Sequence, residues 1–265
     1  MPELPALRRV GHKGADLIVP GNTPASFDAA LAAGVDMIEF DVLPEERDGG
    51  GRLLLAHDYT IDLASAPTLQ DGLAHLASSP FDGVELDVDL KLPGYEERVV
   101  NELREHGLVQ RALISSNWMR SLVTIRELEP RLRLGWSVPR VKRDYTASVL
   151  TKLPAYIGVR YVRRRLPRVV HRHIEAGRCE ALMAHWLFIT PALVEAVRSA
   201  GGELYVWTVD ELPRIGDLRT LGVTGVITND PRLFAQLPSV QVMAELSAGS
   251  APALERWPAS VCSSI

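Results

Sequence analysis

Short runs of Val, Ile and Leu alternate along the chain with longer segments in which apolar residues recur every three or four positions. The short runs predict buried strands, and the longer segments predict amphipathic helices. Strands that alternate with helices favour βαβ units and a parallel sheet. The candidate strands cover residues 8–11, 36–42, 53–56, 84–90, 112–115, 132–137, 181–184, 204–208 and 225–228.

Five helices are predicted between these strands, at residues 24–33, 95–106, 119–128, 191–200 and 212–221. The first shows the expected boundaries, since Thr23 can cap it, Pro24 suits its first turn and Gly34 can end it. Eight or nine strands with interleaved helices in one chain of 265 residues predict a single-domain TIM (β/α)₈ barrel of the α/β class. An open, doubly wound sheet is the alternative, because periodicity does not distinguish a closed sheet from an open one.

Two regions depart from the alternation. Residues 140–178 contain eleven basic residues and two acidic ones, over a length that exceeds an ordinary connection. We interpret this segment as a basic insertion between a barrel strand and its helix. After Gln236 the chain becomes rich in Ala, Ser and Pro. The sequence therefore predicts a barrel over residues 1–237 and a C-terminal tail over residues 238–265.

Charge and cysteine content exclude several classes of protein. There are 29 Lys and Arg against 33 Asp and Glu, which gives a net charge of −4 and no overall attraction to nucleic acid. Two distant cysteines, Cys179 and Cys262, form neither a disulfide framework nor a CxxC zinc motif. The first residues lack the apolar core of a signal peptide, and no run approaches the ~20 apolar residues of a membrane span. We expect a cytoplasmic protein.

Carboxylates line one face of two candidate strands. Segment 36–42 places Glu39 and Asp41 on the same face, because successive side chains alternate. A second acidic row, ending in a lysine, follows in segment 84–91: Glu85, Asp87, Asp89 and Lys91. Half-exposed antiparallel strands are one interpretation. In a barrel the acidic faces point inward and crowd at the carboxyl ends of the strands, which favours a bound divalent cation such as Mg²⁺ or Ca²⁺.

Two of the seven histidines stand at strand ends. His12 follows the first candidate strand, and His57 follows the third. Either residue alone could be an ordinary surface histidine. Together, beside an acidic cluster, they suggest a pair of proton-transfer groups suited to a phosphodiester. We interpret the others as structural: His75, His106, His171, His173 and His185.

Several short motifs follow one another along the chain. They are Gly11-His12-Lys13-Gly14, Pro20-Gly21-Asn22-Thr23, Ile38-Glu39-Phe40-Asp41-Val42, His57-Asp58, Asp89-Leu90-Lys91, Ser115-Ser116, Tyr205-Val206-Trp207-Thr208-Val209 and Gly225 to Pro231. In this order the sequence resembles the glycerophosphodiester phosphodiesterases. The resemblance implies a TIM barrel, a divalent cation, and hydrolysis of glycerophosphodiesters to sn-glycerol 3-phosphate and an alcohol.

The same resemblance implies roles for individual residues. His12 and His57 would be the acid–base pair of catalysis, and Lys91 would contact the phosphate. Glu39, Asp41 and Asp89 would bind the metal. A further group would contact the substrate: Lys13, Trp207 and Asn229.

Three departures from the family pattern leave alternatives open. Lys13 replaces the usual Arg, Gly21 replaces a Glu, and Asp89 replaces a Glu. The first two changes alter the charge balance of the first loop. Together with Trp207-Thr208-Val209-Asp210 and Thr228-Asn229, the departures resemble the related sphingomyelinase D enzymes, which cleave choline from sphingomyelin or lysophospholipids. The alternatives are therefore a lipid phosphodiesterase of that type and a non-catalytic barrel that binds phosphodiesters.

The basic segment 140–178 also has two interpretations. It is either a solvated helix face or a surface that attracts anionic lipid. We expect a small-molecule partner, a glycerophosphodiester or a lysophospholipid, together with this candidate membrane surface. Nucleic acid is not an expected partner, because no recognition motif accompanies the charge. The sequence does not predict the oligomeric state.

Overall fold

A computed structural model of the chain describes residues 6–139 and 149–237, and within these residues nine strands form one sheet. The strands are β1 (Arg8–Gly11), β2 (Met37–Pro44), β3 (Leu53–Leu55), β4 (Glu85–Leu90), β5 (Ala112–Ser116), β6 (Arg133–Val138), β7 (Ala181–His185), β8 (Glu203–Trp207) and β9 (Gly225–Thr228). All except β3 pair in parallel, and β1 pairs with both β2 and β9. The sheet thus closes on itself, and the predicted TIM barrel is confirmed.

Seven α-helices accompany the strands in the described part of the chain. They are α1 (Pro24–Ala32), α2 (Leu69–Leu76), α3 (Glu96–Glu105), α4 (Met119–Leu128), α5 (Val149–Glu175), α6 (Pro191–Ser199) and α7 (Leu212–Leu221). The sequence predicts five of them to within one residue at each end and misses α2 and α5. In α2, Gly72 interrupts the helical pattern because it packs on Leu55, where a Cβ atom would lie 2.6 Å from a methyl carbon.

Strand β3 differs from its sequence-based interpretation as one of the parallel strands. It runs antiparallel to β2, pairing Val42 with Leu55 and Pro44 with Leu53. Strand β2 therefore extends past the mouth of the barrel, and a hairpin returns the chain toward it. The backbone N–H of Ala56 donates to the carbonyl of Asp41. This return brings the chain at His57 back to the level of the acidic strand ends.

Apolar side chains pack on both the outer and the inner face of the barrel wall. The outer face of β2 contributes Ile38, Phe40 and Val42 to a cluster with the helices. The outward-facing residues of β4 belong to the same cluster. A smaller inner cluster includes Val10, Met37, Leu113, Met183 and Tyr205. The acidic face of both strands accordingly points into the barrel, as the alternation predicts.

Glu85 lies at the opposite end of the barrel from the other acidic residues of its strand. It is the first residue of β4, so it faces the floor, and it pairs with Arg8 and with Arg133 at 2.7 Å. Arg133 also pairs with Glu203. Burial would lower the pKa of Arg133, but the neighbouring carboxylates raise it above its usual value. The floor is thus a balanced ion network, and the expectation that Glu85 joins the acidic mouth is wrong.

Within the basic segment, Val149–Glu175 form helix α5, and residues 176–178 follow it as a turn. Helix α5 has 27 residues, whereas the other α-helices of the described chain have 8 to 10. The rest of the predicted insertion, residues 140–148, and the predicted tail, residues 238–265, lie outside the described residues. Within those described, no helix is both long and apolar enough to cross a lipid bilayer.

Gly225 should be sensitive to any side chain, because β9 passes closely over the ring of Tyr205. A Cβ atom there would lie 2.7 Å from a ring carbon and 3.0 Å from the carbonyl oxygen of Arg8. We expect Gly225→Ala to lower the free energy of unfolding in urea by about 1–3 kcal/mol through overpacking. Gly83→Ala is the matched control, since no atom lies within 4 Å of its Cβ position. Equal effects of the two substitutions would contradict this packing.

Candidate active site

Three carboxylates meet at the mouth of the barrel. Glu39 and Asp41 project from β2, and Asp89 projects from β4, where it is the register partner of Asp41. One oxygen from each group lies within 4.8 Å of the others. Glu39 and Asp41 are buried, and Asp89 is partly buried. The sequence predicts these same three residues as a cluster, and the parallel register explains why they converge.

The acidic groups strongly perturb one another. Burial, followed by repulsion from Asp41, raises the pKa of Glu39 well above its usual value. Burial would also raise the pKa of Asp41, but Lys91 and the two nearby imidazoles hold it below the usual value. One level deeper, burial and the charge of Asp89 raise the pKa of Asp87 to about 8. The mouth thus holds more carboxyl groups than the nearby positive charges keep fully ionised.

Lys91 is the cation that contacts this cluster directly. Its Nζ atom lies 2.5 Å from Asp89 Oδ2 and also touches Asp41 Oδ1. One ammonium against three carboxylates leaves a surplus of negative charge. Carboxylate oxygens at this spacing, with such a surplus, are the donor set that hard divalent cations prefer. The residues present therefore fit a divalent metal ion.

His12 is held by a chain of hydrogen bonds from the end of β9. Its Nδ1 atom lies 2.5 Å from Asn229 Oδ1, while Asn229 Nδ2 donates to Asp210 Oδ2 at 2.7 Å. Because the amide nitrogen of Asn229 is committed to Asp210, its oxygen accepts, and His12 carries its proton on Nδ1. The free Nε2 faces Glu39 at 3.8 Å. Burial lowers the pKa of His12, which keeps the imidazole neutral and able to accept a proton.

His57 reaches the mouth from the other side, at the end of the β2–β3 hairpin. Its side chain is 55% exposed, and its Nδ1 lies 3.2 Å from Asp58 Oδ2. Asp58 is itself fixed, because its second oxygen accepts from the backbone N–H of Thr60 at 2.8 Å. His57 is thus a solvent-accessible imidazole with an adjacent carboxylate. Its charge also lowers the pKa of Asp41, which places it within electrostatic reach of the cluster.

The loop between β1 and α1 compensates for the missing glutamate at position 21. The carboxylate of Asp16 accepts from the backbone N–H of Gly21 at 2.8 Å and pairs with Lys13 Nζ at 3.3 Å. A Cβ atom at position 21 would lie 2.6 Å from Asp16 Oδ1. Asp16 thus occupies the space next to Gly21 and neutralises Lys13. The sequence difference at Gly21 remains, but Lys13 in the same loop has an acidic partner.

Asn22 fixes the central carboxylate. Its side-chain amide donates to Asp41 Oδ2 and its oxygen accepts from the backbone N–H of Asp41, both at 3.0 Å. Asn22 is buried, and its φ of 58° is in the left-handed region, which asparagine tolerates better than most residues. Nearby, the backbone N–H of Lys13 donates to Glu39 Oε2 at 2.8 Å. This loop therefore orients two of the three carboxylates.

Aromatic rings line the far side of the mouth. Trp207, the last residue of β8, packs edge-on against His185, the last residue of β7, with ring centroids 5.1 Å apart. Burial and the charge of Arg214 lower the pKa of His185 to about 4, so this imidazole is neutral at neutral pH. The histidine that we interpret as structural thus lies in the wall of the mouth.

Sequence reasoning misses three residues that hold the site in place: Asp16, Asn22 and Asp210. Asn22 belongs to the motif Pro20-Gly21-Asn22-Thr23, so a signal for it is present. Asn229, predicted to bind substrate, also hydrogen-bonds to His12. No local sequence pattern indicates Asp16, because its role depends on the path of the loop.

The chain matches a known protein family along much of its length. The model of the glycerophosphoryl diester phosphodiesterase family matches residues 84–233. A glycerophosphodiester phosphodiesterase from Caldanaerobacter subterraneus is 25% identical over 263 residues, which cover 86% of this chain and 96% of that protein. One from Bacillus subtilis is 22% identical, covering 85% of this chain and 84% of that one.

Solved structures share the fold. A glycerophosphodiester phosphodiesterase from Agrobacterium tumefaciens superposes with a TM-score of 0.62 at 21% identity, covering 88% of this chain and 100% of the other. An Oleispira antarctica phosphodiesterase, in complex with the product sn-glycerol-3-phosphate, gives a TM-score of 0.64 at 21% identity, with coverage of 91% and 97%. The family match extends over more than half of the chain. The chain belongs to the glycerophosphoryl diester phosphodiesterase family.

Proposed function

We propose that this protein is a metal-dependent phosphodiesterase that hydrolyses glycerophosphodiesters to sn-glycerol 3-phosphate and an alcohol. The observation that carries the proposal is the convergence of three carboxylate oxygens within 4.8 Å, with the imidazole of His12 3.8 Å from one of the carboxylates. The Oleispira relative with bound sn-glycerol-3-phosphate supports the choice of product. A cytoplasmic location stays a prediction from the sequence.

Glu39, Asp41 and Asp89 are the proposed metal ligands. Their oxygen-only chemistry suits Mg²⁺ or Ca²⁺ better than zinc. When bound, such a cation supplies charge neutralisation at a phosphate oxygen and makes a nearby hydroxyl more acidic. Asn22 holds Asp41 in the orientation that this requires, and the backbone of Lys13 does the same for Glu39.

The two histidines have distinct proposed roles. Neutral His12 removes a proton from the attacking hydroxyl with Nε2, because Asn229 holds the proton on Nδ1. His57 protonates the leaving alcohol, since its exposed ring, oriented by the contact with Asp58, is accessible to a departing group. Lys91 is the third proposed catalytic residue and stabilises charge on the phosphoryl oxygens.

We propose the residues that contact the substrate from their positions around the mouth of the barrel. Trp207 forms a wall of the mouth, and Lys13 stands at its rim with its ammonium shared with Asp16. Asn229 is better described as a positioning residue for His12, because both ends of its amide are already engaged.

Product analysis tests the proposed function directly. Glycerophosphocholine and lysophosphatidylcholine are each incubated with the protein in Mg²⁺, in Ca²⁺ and in EDTA. The proposal expects metal-dependent release of sn-glycerol 3-phosphate from glycerophosphocholine. Release of choline from lysophosphatidylcholine alone favours the lipid phosphodiesterase, and binding without turnover of either compound favours the non-catalytic barrel.

Loss of either imidazole should abolish most turnover. We expect His12→Ala and His57→Ala each to lower kcat by at least ~10²–10⁴-fold, the usual contribution of a general acid or base. His75→Ala is the matched control, because its ring pairs with Asp28 on the outside of the barrel. Full activity in both variants with metal present would contradict the assignment.

A substrate with a better leaving group separates the two roles. A nitrophenyl phosphodiester needs no proton on its departing oxygen, so His57→Ala should lose far less activity on it than on glycerophosphocholine. His12→Ala should lose the same factor on both substrates, because the attacking hydroxyl still needs a base. The reverse pattern of kcat values would exchange the two assignments.

Metal binding should stabilise the fold through the three carboxylates. At a metal concentration of about 100 Kd, linkage gives about 2.7 kcal/mol. In a chain of this size that raises Tm by roughly 5–10 °C. Asp89→Asn should lose this shift, whereas Asp82→Asn should keep it, because Asp82 has a largely exposed side chain away from the mouth. An unchanged Tm in the native protein on adding Mg²⁺ or Ca²⁺ would argue against the site.

A further inference from the structure

Helix α5 carries a row of exposed arginines on the side of the barrel. We call Arg164, Arg165, Arg168 and Arg172 the arginine stripe; all four are exposed. At 100° per residue they fall within about 100° of arc on one side of the helix. Leu166 and Val170 occupy the opposite side and are buried against the core. The helix is therefore amphipathic, with a strongly cationic outer face.

The charge of this face is not balanced locally. Among the described residues, no carboxylate pairs with Arg164, Arg168 or Arg172, and Glu175 at the end of the helix pairs with His171 instead. Residues 140–178 have a net charge of +9, whereas the whole chain has −4, so the remainder carries −13. A solvated helix face would ordinarily interleave both signs of charge. Here the positive charge is collected on one surface.

Apolar groups accompany the arginines on the same face. Tyr161 is 58% exposed and Val169 is 36% exposed, although both are large enough to be favoured in a core. The guanidinium of Arg165 lies 5.2 Å from the centre of the Tyr161 ring. A flat cationic face with exposed apolar side chains is the pattern of a helix that lies on the surface of a membrane.

We propose that the arginine stripe binds the surface of an anionic lipid bilayer. Each cationic side chain near such a surface gains attraction from the negative potential, and Tyr161 and Val169 can enter the headgroup region. Nucleic acid fits less well, because no recognition motif accompanies the charge and exposed apolar side chains lie among the arginines. The occupant is thus an extended anionic plane of lipid headgroups.

The position of α5 sets the orientation on the membrane. Arg163 donates to the carbonyl of Leu187, just beyond the mouth end of β7, while Ile174 packs on Gly202 at the floor end of β8. The stripe therefore runs along the flank of the barrel, from mouth to floor. A bilayer bound there leaves the mouth opening sideways, so binding should not change hydrolysis of a water-soluble diester.

Vesicle sedimentation of the full chain tests this surface. The vesicles are phosphatidylcholine alone and phosphatidylcholine mixed with phosphatidylglycerol. We expect binding only to the mixed vesicles, and loss of that binding near 1 M salt, where the Debye length is about 3 Å. The triple variant R164Q/R168Q/R172Q should bind about 100-fold more weakly, at about fivefold per arginine.

A second triple variant separates a defined surface from general charge. R47Q/R120Q/R198Q removes the same charge from exposed positions elsewhere and should bind the mixed vesicles like the native protein. Equal losses in the two variants, no binding of the native protein to the mixed vesicles, or binding to duplex DNA in its place would overturn the proposal. Hydrolysis of glycerophosphocholine, measured in parallel, shows whether each variant is folded. It also reports on the proposed activity independently of lipid binding.

Discussion

Carboxylates at one end of the barrel repel one another, and the other residues of the site offset this repulsion. Parallel pairing of β2 with β4 places Asp41 beside Asp89, and the inward pleat adds Glu39. Like charges that are buried this close together repel one another strongly. Lys91 offsets part of this repulsion, and the β1–α1 loop fixes the geometry with hydrogen bonds to two of the three groups. The carboxyl groups of the mouth therefore outnumber the ammonium group that contacts them, which is the basis of the proposed cation site.

The barrel keeps this charge apart from its floor. At the floor, Arg8 and Arg133 alternate with Glu85 and Glu203, so the ionic groups there satisfy one another. Between mouth and floor lies the inner apolar cluster, with Asp87 near the mouth side of it. A closed sheet can therefore hold a balanced network at one end and an unbalanced one at the other, with apolar packing between them.

The sequence predicts the barrel well because the hydrophobic periodicity that identifies each strand and helix lies within that element. Alternation along β2 and β4 identifies the inward acidic face, and five helices have capping residues or periodicity that can be read directly. What it misses depends on the path of the chain in space. The antiparallel return of β3 is too short to show its direction in three apolar residues. Asp16 accepts a hydrogen bond from the backbone of Gly21, five residues further along, and Asn229 turns toward His12 because Asp210 holds its amide. No pattern within a single element contains these contacts.

The acidic mouth and the arginine stripe lie on different sides of the barrel, and electrostatics explains why this separation is favourable. A mouth with surplus negative charge would be repelled by an anionic bilayer pressed against it, so a cationic surface beside the mouth would act against the site. On the flank, the arginine stripe is separated from the carboxylates by the wall of the barrel and by the outer shell of apolar side chains. Exposed charges farther apart than a Debye length, about 8 Å at physiological salt, are largely screened from one another. The face proposed to bind lipid and the mouth proposed to bind a cation can therefore occur in the same chain without opposing each other.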